Sequence, residues 1–118
     1  MNNHAFLVIA SLSGTSRSAN GVITPSVNKY RGPLSTTEEV EKAVLELWKE
    51  TEWFLIFSRD KWVSLQNSNF VPDKDTYSSK ESVAQRIKKL LNEGAVGIWV
   101  GGGKSGGNTV GLQSAKEV

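Results

Sequence analysis

Residues 53–66 read WFLIFSRDKWVSLQ, and they contain two apolar runs separated by Arg59-Asp60. Two such runs with a two-residue spacer predict a tight β-hairpin, with strands at 53–58 and 61–66. Because side chains alternate across a strand, each face of this hairpin would carry its own apolar set. The set expected to pack against helices is Phe54, Ile56, Val63 and Leu65. The set expected on the opposite face is Trp53, Leu55, Phe57 and Trp62, with Phe57 facing Trp62.

Two helices are predicted, one before and one after this hairpin. The first, over 36–51, follows Gly32-Pro33, and the second, over 79–93, stops at Gly94, which can supply a left-handed C-terminus. Each begins with a Ser-x-x-Glu capping box and carries an apolar stripe at helical spacing.

The other apolar runs predict strands in pairs. Residues 5–12 and 21–30 flank a polar loop, and Pro25 makes the second run an edge strand or a bulged one. Residues 95–100 and 108–113 flank a glycine-rich loop, so they form a second hairpin, which is expected to protrude from the domain.

The resulting order is ββα-ββ-α-ββ. Hairpin connections favour antiparallel pairing over parallel crossovers. The sequence therefore predicts a single α+β domain over residues 1–118, with a mainly antiparallel sheet of about six strands and two helices packed on one face.

Composition narrows the class of protein. There is no cysteine, which excludes a disulfide, a thiolate nucleophile and a thiolate metal site. His4 is the only histidine and lies at the N-terminus, where disorder is common, which argues against a serine triad or a multi-histidine zinc site. The first apolar run is too short to span a bilayer. We expect no catalytic residue, no metal, no cofactor and no membrane contact, and a cytoplasmic location.

The glycine-rich segment 101–107 resembles a phosphate loop in composition. The glycine required six residues before Lys104 is replaced by Ile98, and a strand rather than a helix is predicted to follow, so nucleotide hydrolysis is not expected. Successive glycine N–H groups beside Lys104 could still form an anion-binding nest. The alternative is a mobile hairpin tip.

Candidate contact residues fall into an aromatic set and a mainly basic set. Alternation along 95–100 places Trp99 on the same side as Gly97, so three of the four tryptophans could share the helix-free face. The aromatic set is Trp53, Phe57, Trp62 and Trp99. The second set, suited to phosphate and base contacts, is Arg17, Lys29, Tyr30, Arg31 and Lys104.

Three interpretations of the second apolar face remain open. Chain segments such as 67–77 could cover it, a second copy could pack on it, or a flat ligand could stack on it. We therefore predict a non-catalytic, homo-oligomeric binding protein that holds a protein partner or a small anionic, nucleotide-like ligand, as an inhibitor or sequestering factor. The alternatives are a module that binds single-stranded nucleic acid by stacking, and an enzyme whose site forms between subunits.

Overall fold

Six strands form an antiparallel sheet in the computed structural model, which describes residues 6–13, 16–17, 23–24, 27–66, 68–105 and 109–116. In the order in which they lie side by side, the strands are β4 (Val27–Leu34), β1 (Phe6–Ser13), β5 (Trp53–Ser58), β7 (Ala95–Gly101), β8 (Leu112–Lys116) and β6 (Val71–Pro72). A separate two-stranded ladder joins β2 (Ser16–Arg17) to β3 (Ile23–Thr24). The predicted α+β fold with a six-stranded antiparallel sheet is confirmed.

In the described part of the chain, three helices accompany the sheet. They are α1 (Thr37–Leu47), α2 (Trp62–Gln66) and α3 (Lys80–Asn92), and single 3-10 turns lie at Trp48–Glu50, Arg59–Lys61 and Gly103–Ser105. Both long helices are where the sequence predicts them, but each is capped one residue later than its Ser-x-x-Glu pattern indicates. Thr36 accepts the N–H of Glu39, and Ser79 accepts the N–H of Ser82.

Helices α1 and α3 cover one face of the sheet and bury the main core. From the middle of the sheet, β5 contributes Phe54 and Ile56, and both are 0% exposed. The helices and neighbouring strands supply aliphatic side chains around them, among them Val8, Ala10, Val40, Val44, Leu47, Val83, Ile87, Leu90, Ile98, Val100 and Leu112. Two helices on one face of the sheet match the prediction.

The predicted hairpin at Arg59-Asp60 is wrong. β5 pairs with β1 on one edge and with β7 on the other, both antiparallel. Because a strand has only two hydrogen-bonding edges, none is left for residues 61–66, which form a turn and α2 instead. As a result Val63 is 69% exposed rather than part of the core, and Leu65 packs on the opposite face from α1 and α3.

The other two predicted hairpins do pair. β1 pairs with β4, but β4 occupies Val27–Leu34 and not 21–30, so Gly32-Pro33 lies within the strand. β4 is an edge strand of the sheet, as predicted for the second run, and Pro25 lies outside the described residues. β7 pairs with β8, with Val100 opposite Leu112. The second strand of this pair occupies Leu112–Lys116 and not 108–113, and Val110 instead forms an isolated bridge with Tyr77.

Candidate interaction face of the sheet

A row of five side chains crosses the face of the sheet that points away from α1 and α3. The register of the ladders places one residue from each of five adjacent strands in this row. From β4 to β8 they are Tyr30, Ile9, Leu55, Trp99 and Gln113. Together with Trp53, which lies one position along on β5, they are termed the aromatic face.

Trp53 and Trp99 form the most prominent feature of the aromatic face. Their ring centroids are 6.2 Å apart, and the rings are inclined by 29° in a stacked arrangement. Trp53 lies opposite Gly101, which has no side chain, so its indole has room to lean toward Trp99. Beside the pair runs an open groove of about 500 Å³, lined by Trp53, Leu55, Phe70, Trp99 and Gln113.

Helix α2 covers one end of this side of the sheet. Leu65 lies directly over Gly97, where a Cβ would collide with its Cδ1 atom, and it joins Phe57, Val96 and Ala115 in a second buried cluster. The covering interpretation is therefore correct for this end, where the cover is α2 together with Phe70 from the predicted segment 67–77. The row from Tyr30 to Gln113 is only partly covered. Ile9 and Leu55 pack against this cluster, whereas Tyr30 is 64% exposed and Trp99 is 38% exposed.

The predicted aromatic residues divide between these two zones. Trp53 and Trp99 lie together on the aromatic face, as alternation predicts. Phe57 is only 5% exposed, because α2 packs over it. The Phe57 and Trp62 rings do meet, with centroids 4.9 Å apart, but Trp62 begins α2 and is not part of the sheet.

Two of the predicted basic residues, Lys29 and Arg31, do not lie on the aromatic face. Lys29 and Arg31 are the immediate neighbours of Tyr30 in β4, so they point to the opposite side of the sheet. There the ammonium of Lys29 lies 2.9 Å from Oε1 of Glu50, and the Arg31 guanidinium donates to the carbonyl oxygen of Tyr30 at 3.1 Å. The backbone of Arg17 lies in β2, and its side chain lies outside the described residues.

The start of the glycine-rich loop folds back onto the end of α1 and does not protrude. Gly102 donates its N–H to the carbonyl of Glu52 at 2.9 Å, and Lys104 donates its N–H to that of Thr51, also at 2.9 Å. A Cβ on Gly102 would collide with the Thr51 carbonyl oxygen, and one on Gly103 would lie 2.7 Å from the Trp48 indole. These glycines are therefore needed for close backbone packing.

An anion-binding nest receives little support from this geometry. Two of its N–H groups already bond to carbonyls, and the Lys104 ammonium donates to the carbonyl of Leu12 at 2.8 Å. Residues 106–108, which complete the predicted loop, lie outside the described residues, as does His4.

The aromatic face is uncharged. At the described ladder positions on this side of the sheet, every residue is apolar, glycine or a neutral polar residue: Leu7, Ile9, Ser11, Asn28, Tyr30, Trp53, Leu55, Phe57, Pro72, Gly97, Trp99, Gly101, Gln113 and Ala115. Asp73 and Asp75 lie at the border of the aromatic face, where they line a neighbouring groove together with Trp99 and Gln113.

Asp73, Tyr77 and Arg86 form a cluster that the sequence did not indicate. Arg86 donates to both carboxylate oxygens of Asp73, at 2.8 and 3.1 Å, and the Tyr77 hydroxyl donates to Oδ2 at 2.6 Å. The hydrogen bond from Arg86 is the main reason that the pKa of Asp73 is lowered. Burial, followed by the bond to Asp73, raises the pKa of Tyr77 to about 12. Asp73 is thus a structural anchor that joins Tyr77 to Arg86.

Comparison of the chain with known protein families, characterised proteins and solved structures found no match. Among the described residues, acidic and histidine side chains do not gather into a group of three that could hold a metal ion. Of the helices in the described part of the chain, none has the length and apolar character that a bilayer crossing requires.

Proposed function

We propose that this chain is a non-catalytic binding protein that self-associates through the aromatic face. The observation that carries the proposal is an uncharged, aromatic half of a sheet face that neither long helix covers. A cytoplasmic location is part of the proposal, since a chain without cysteine gains nothing from an oxidising compartment.

The chemistry of the aromatic face favours a protein contact. An antiparallel sheet with helices on one side normally presents polar residues to water on the other. A contiguous exposed apolar patch marks a contact site in most soluble proteins, and tryptophan and tyrosine are enriched in such sites. Two sheets can also stack face to face at about 10 Å, with their side chains interdigitating.

A second copy fits this face better than an anionic ligand or a nucleic acid strand. A base could stack on Trp99, but binding of single strands also needs cations along the phosphate path. Lys29 and Arg31 lie on the other side of the sheet, and Lys104 bonds to a carbonyl. An uncharged surface, in contrast, suits a copy of itself.

The test is the association state of substituted chains. Sedimentation velocity over a range of concentrations should report a homo-oligomer for the natural chain. The double substitution Trp53→Ser, Trp99→Ser should weaken association by roughly a hundredfold or more, because buried tryptophans dominate interface energies. Val63→Ser is the matched control, since Val63 is 69% exposed and lies on α2, away from the row.

Circular dichroism should show that all three chains remain folded. The proposal fails if the natural chain is monomeric at every concentration, or if the double substitution leaves association unchanged. Native mass spectrometry of the same samples separates the alternatives: a co-purifying small anion would favour the ligand platform, and unbound dimers favour self-association.

A further inference from the structure

The aromatic face carries a projection at one end of its row and a recess at the other. Tyr30, on the edge strand β4, is 64% exposed, the most exposed aromatic residue of the row. Toward the far end lies the groove beside the stacked indoles of Trp53 and Trp99, which Leu55, Phe70 and Gln113 also line. Four strand spacings separate the two ends, about 19 Å at roughly 4.8 Å per strand.

Twofold symmetry allows two ways of placing this face against its own copy. In a closed dimer the same patch is used by both subunits. With the axis parallel to the strands and passing over β5, the end of the row in one copy lies over the opposite end in the other. With the axis across the strands, each end lies over itself.

We propose that the axis runs along β5, so that Tyr30 of each copy enters the tryptophan groove of the other; this rests on the self-association proposed above. The arrangement fills both grooves and covers both projecting rings. It also brings Leu55, the middle of the row, against Leu55 of the second copy. The alternative axis sets the two projecting tyrosines against each other and places groove over groove, so that neither recess receives a projecting ring.

The groove offers a phenol ring suitable partners. Two indoles and Phe70 give aromatic surfaces for edge or offset stacking. Gln113 stands where the hydroxyl would arrive, and its amide has no side-chain hydrogen bond to any other described residue. Neither Tyr30 nor Gln113 is charged, so the overlay of the two ends of the row places no charged side chain directly against another.

Chemical crosslinking distinguishes the two axes, and the absence of native cysteine makes it specific. Tyr30→Cys and Gln113→Cys chains are treated with a short bismaleimide, each alone and as a mixture. The reagent is chosen to span the roughly 10 Å between stacked sheets but not the roughly 19 Å between the two positions within one copy. We expect crosslinked dimers in the mixture and none in either chain alone.

A mixing experiment provides a second readout that does not depend on reagent geometry. Tyr30→Ala removes the projection and Trp99→Ala damages the groove, so each chain alone should associate about tenfold or more weakly than the natural chain. In a mixture, Tyr30 of the second chain meets the intact groove of the first, and heterodimers should form more tightly than either homodimer. A mixture that associates no better than its components overturns the inference.

The contact of Tyr30 with the groove can fail while self-association through the aromatic face still holds. Crosslinking of Tyr30→Cys with itself would establish the other axis and overturn the groove contact, while leaving self-association intact. The groove contact would also be overturned if substitution of Trp53 and Trp99 weakened the dimer but the mixture of Tyr30→Cys and Gln113→Cys chains gave no crosslink. A dimer insensitive to substitution of both tryptophans would overturn the proposed function itself.

Discussion

Trp53 and Phe54 are neighbours in the same strand, yet they lie in very different surroundings. Phe54 is 0% exposed beneath α1 and α3, whereas Trp53 is half-buried on the other side, next to a groove. Strand alternation alone separates them. The chain thus has apolar residues on both faces of one sheet but only enough long helix to cover one face.

The difference in cover comes from helix length. α1 and α3 have 11 and 13 residues and lie along the whole main core, while α2 has 5 residues and reaches only the end of the sheet at Phe57 and Gly97. We infer that the helix-covered face supplies the stability of the fold. The uncovered part of the aromatic face is then available for association.

The largest expected effect compares two adjacent aliphatic residues of β5. Ile56→Ala should lower the free energy of unfolding by about 2–5 kcal/mol, because it opens a cavity in the main core. Leu55→Ala should lower it by only about 1 kcal/mol, because Leu55 is half-buried and its neighbours are partly in water. Urea unfolding at concentrations below the association range measures both.

If Leu55→Ala and Ile56→Ala lowered the free energy of unfolding equally, the aromatic face would be as well covered as the core. Association should show the reverse order. Leu55→Ala should weaken the dimer, and Ile56→Ala should leave the association of the chains that remain folded unchanged.

Much of the fold was predictable because its signals are local. The two long helices follow from caps and apolar stripes, and β1, β5 and β7 follow from short apolar runs. The segment 61–66 was not predictable in this way, because its fate depends on β1 and β7, which are distant in sequence and occupy both edges of β5. Gly97 is the one hint in the sequence, since a missing side chain leaves space for Leu65.

The candidate site was predictable only in part, for a related reason. Alternation suffices to place Trp53 and Trp99 on one side of the sheet. It also separates Tyr30 from Lys29 and Arg31, once 27–34 is known to be a strand. The anchoring of Asp73 by Arg86 joins an edge strand to α3 across 13 residues and requires the tertiary structure.

The Asp73 anchor connects the helix layer to the edge of the aromatic face. Asp73 follows β6, whose Pro72 pairs with Gln113 at the rim of the groove, and Arg86 belongs to α3 in the helix layer. Asp73→Asn should lower the free energy of unfolding by about 1.5–3 kcal/mol, the range for hydrogen bonds to a charged group. Asp75→Asn is the control, since Asp75 is exposed two residues away.

The contribution of the Asp73 anchor to the free energy of unfolding should fall at both acid and alkaline pH. The pKa of Asp73 is lowered in the folded chain, so its contribution is present above the ordinary carboxyl pKa of about 4 and is lost as the pH falls further. The pKa of Tyr77 is raised from 10.0 to about 12, so its contribution is complete below pH 10.0 and is lost toward pH 12. Tyr77→Phe should remove the alkaline part and reduce the acid part, because the hydrogen bond from Tyr77 also lowers the pKa of Asp73. An acid limb unaltered by Asp73→Asn would contradict the assignment.

The smallest expected effect concerns the Lys29–Glu50 ion pair on the helix side of β4. Both side chains are 44% exposed, and exposed pairs contribute less than about 1 kcal/mol, so Lys29→Gln should barely change the urea midpoint. It should also leave association unchanged, because Lys29 points away from the aromatic face while its neighbour Tyr30 lies on it. Sedimentation velocity of the Lys29→Gln and Tyr30→Ala chains, at low and at high salt, measures how far each substitution weakens association. Because the two residues are adjacent, the comparison shows whether charge or apolar contact holds the dimer together. We expect only the tyrosine substitution to weaken the dimer, and salt to have little effect on either chain; a strong response of Lys29→Gln would instead restore the case for an anionic partner.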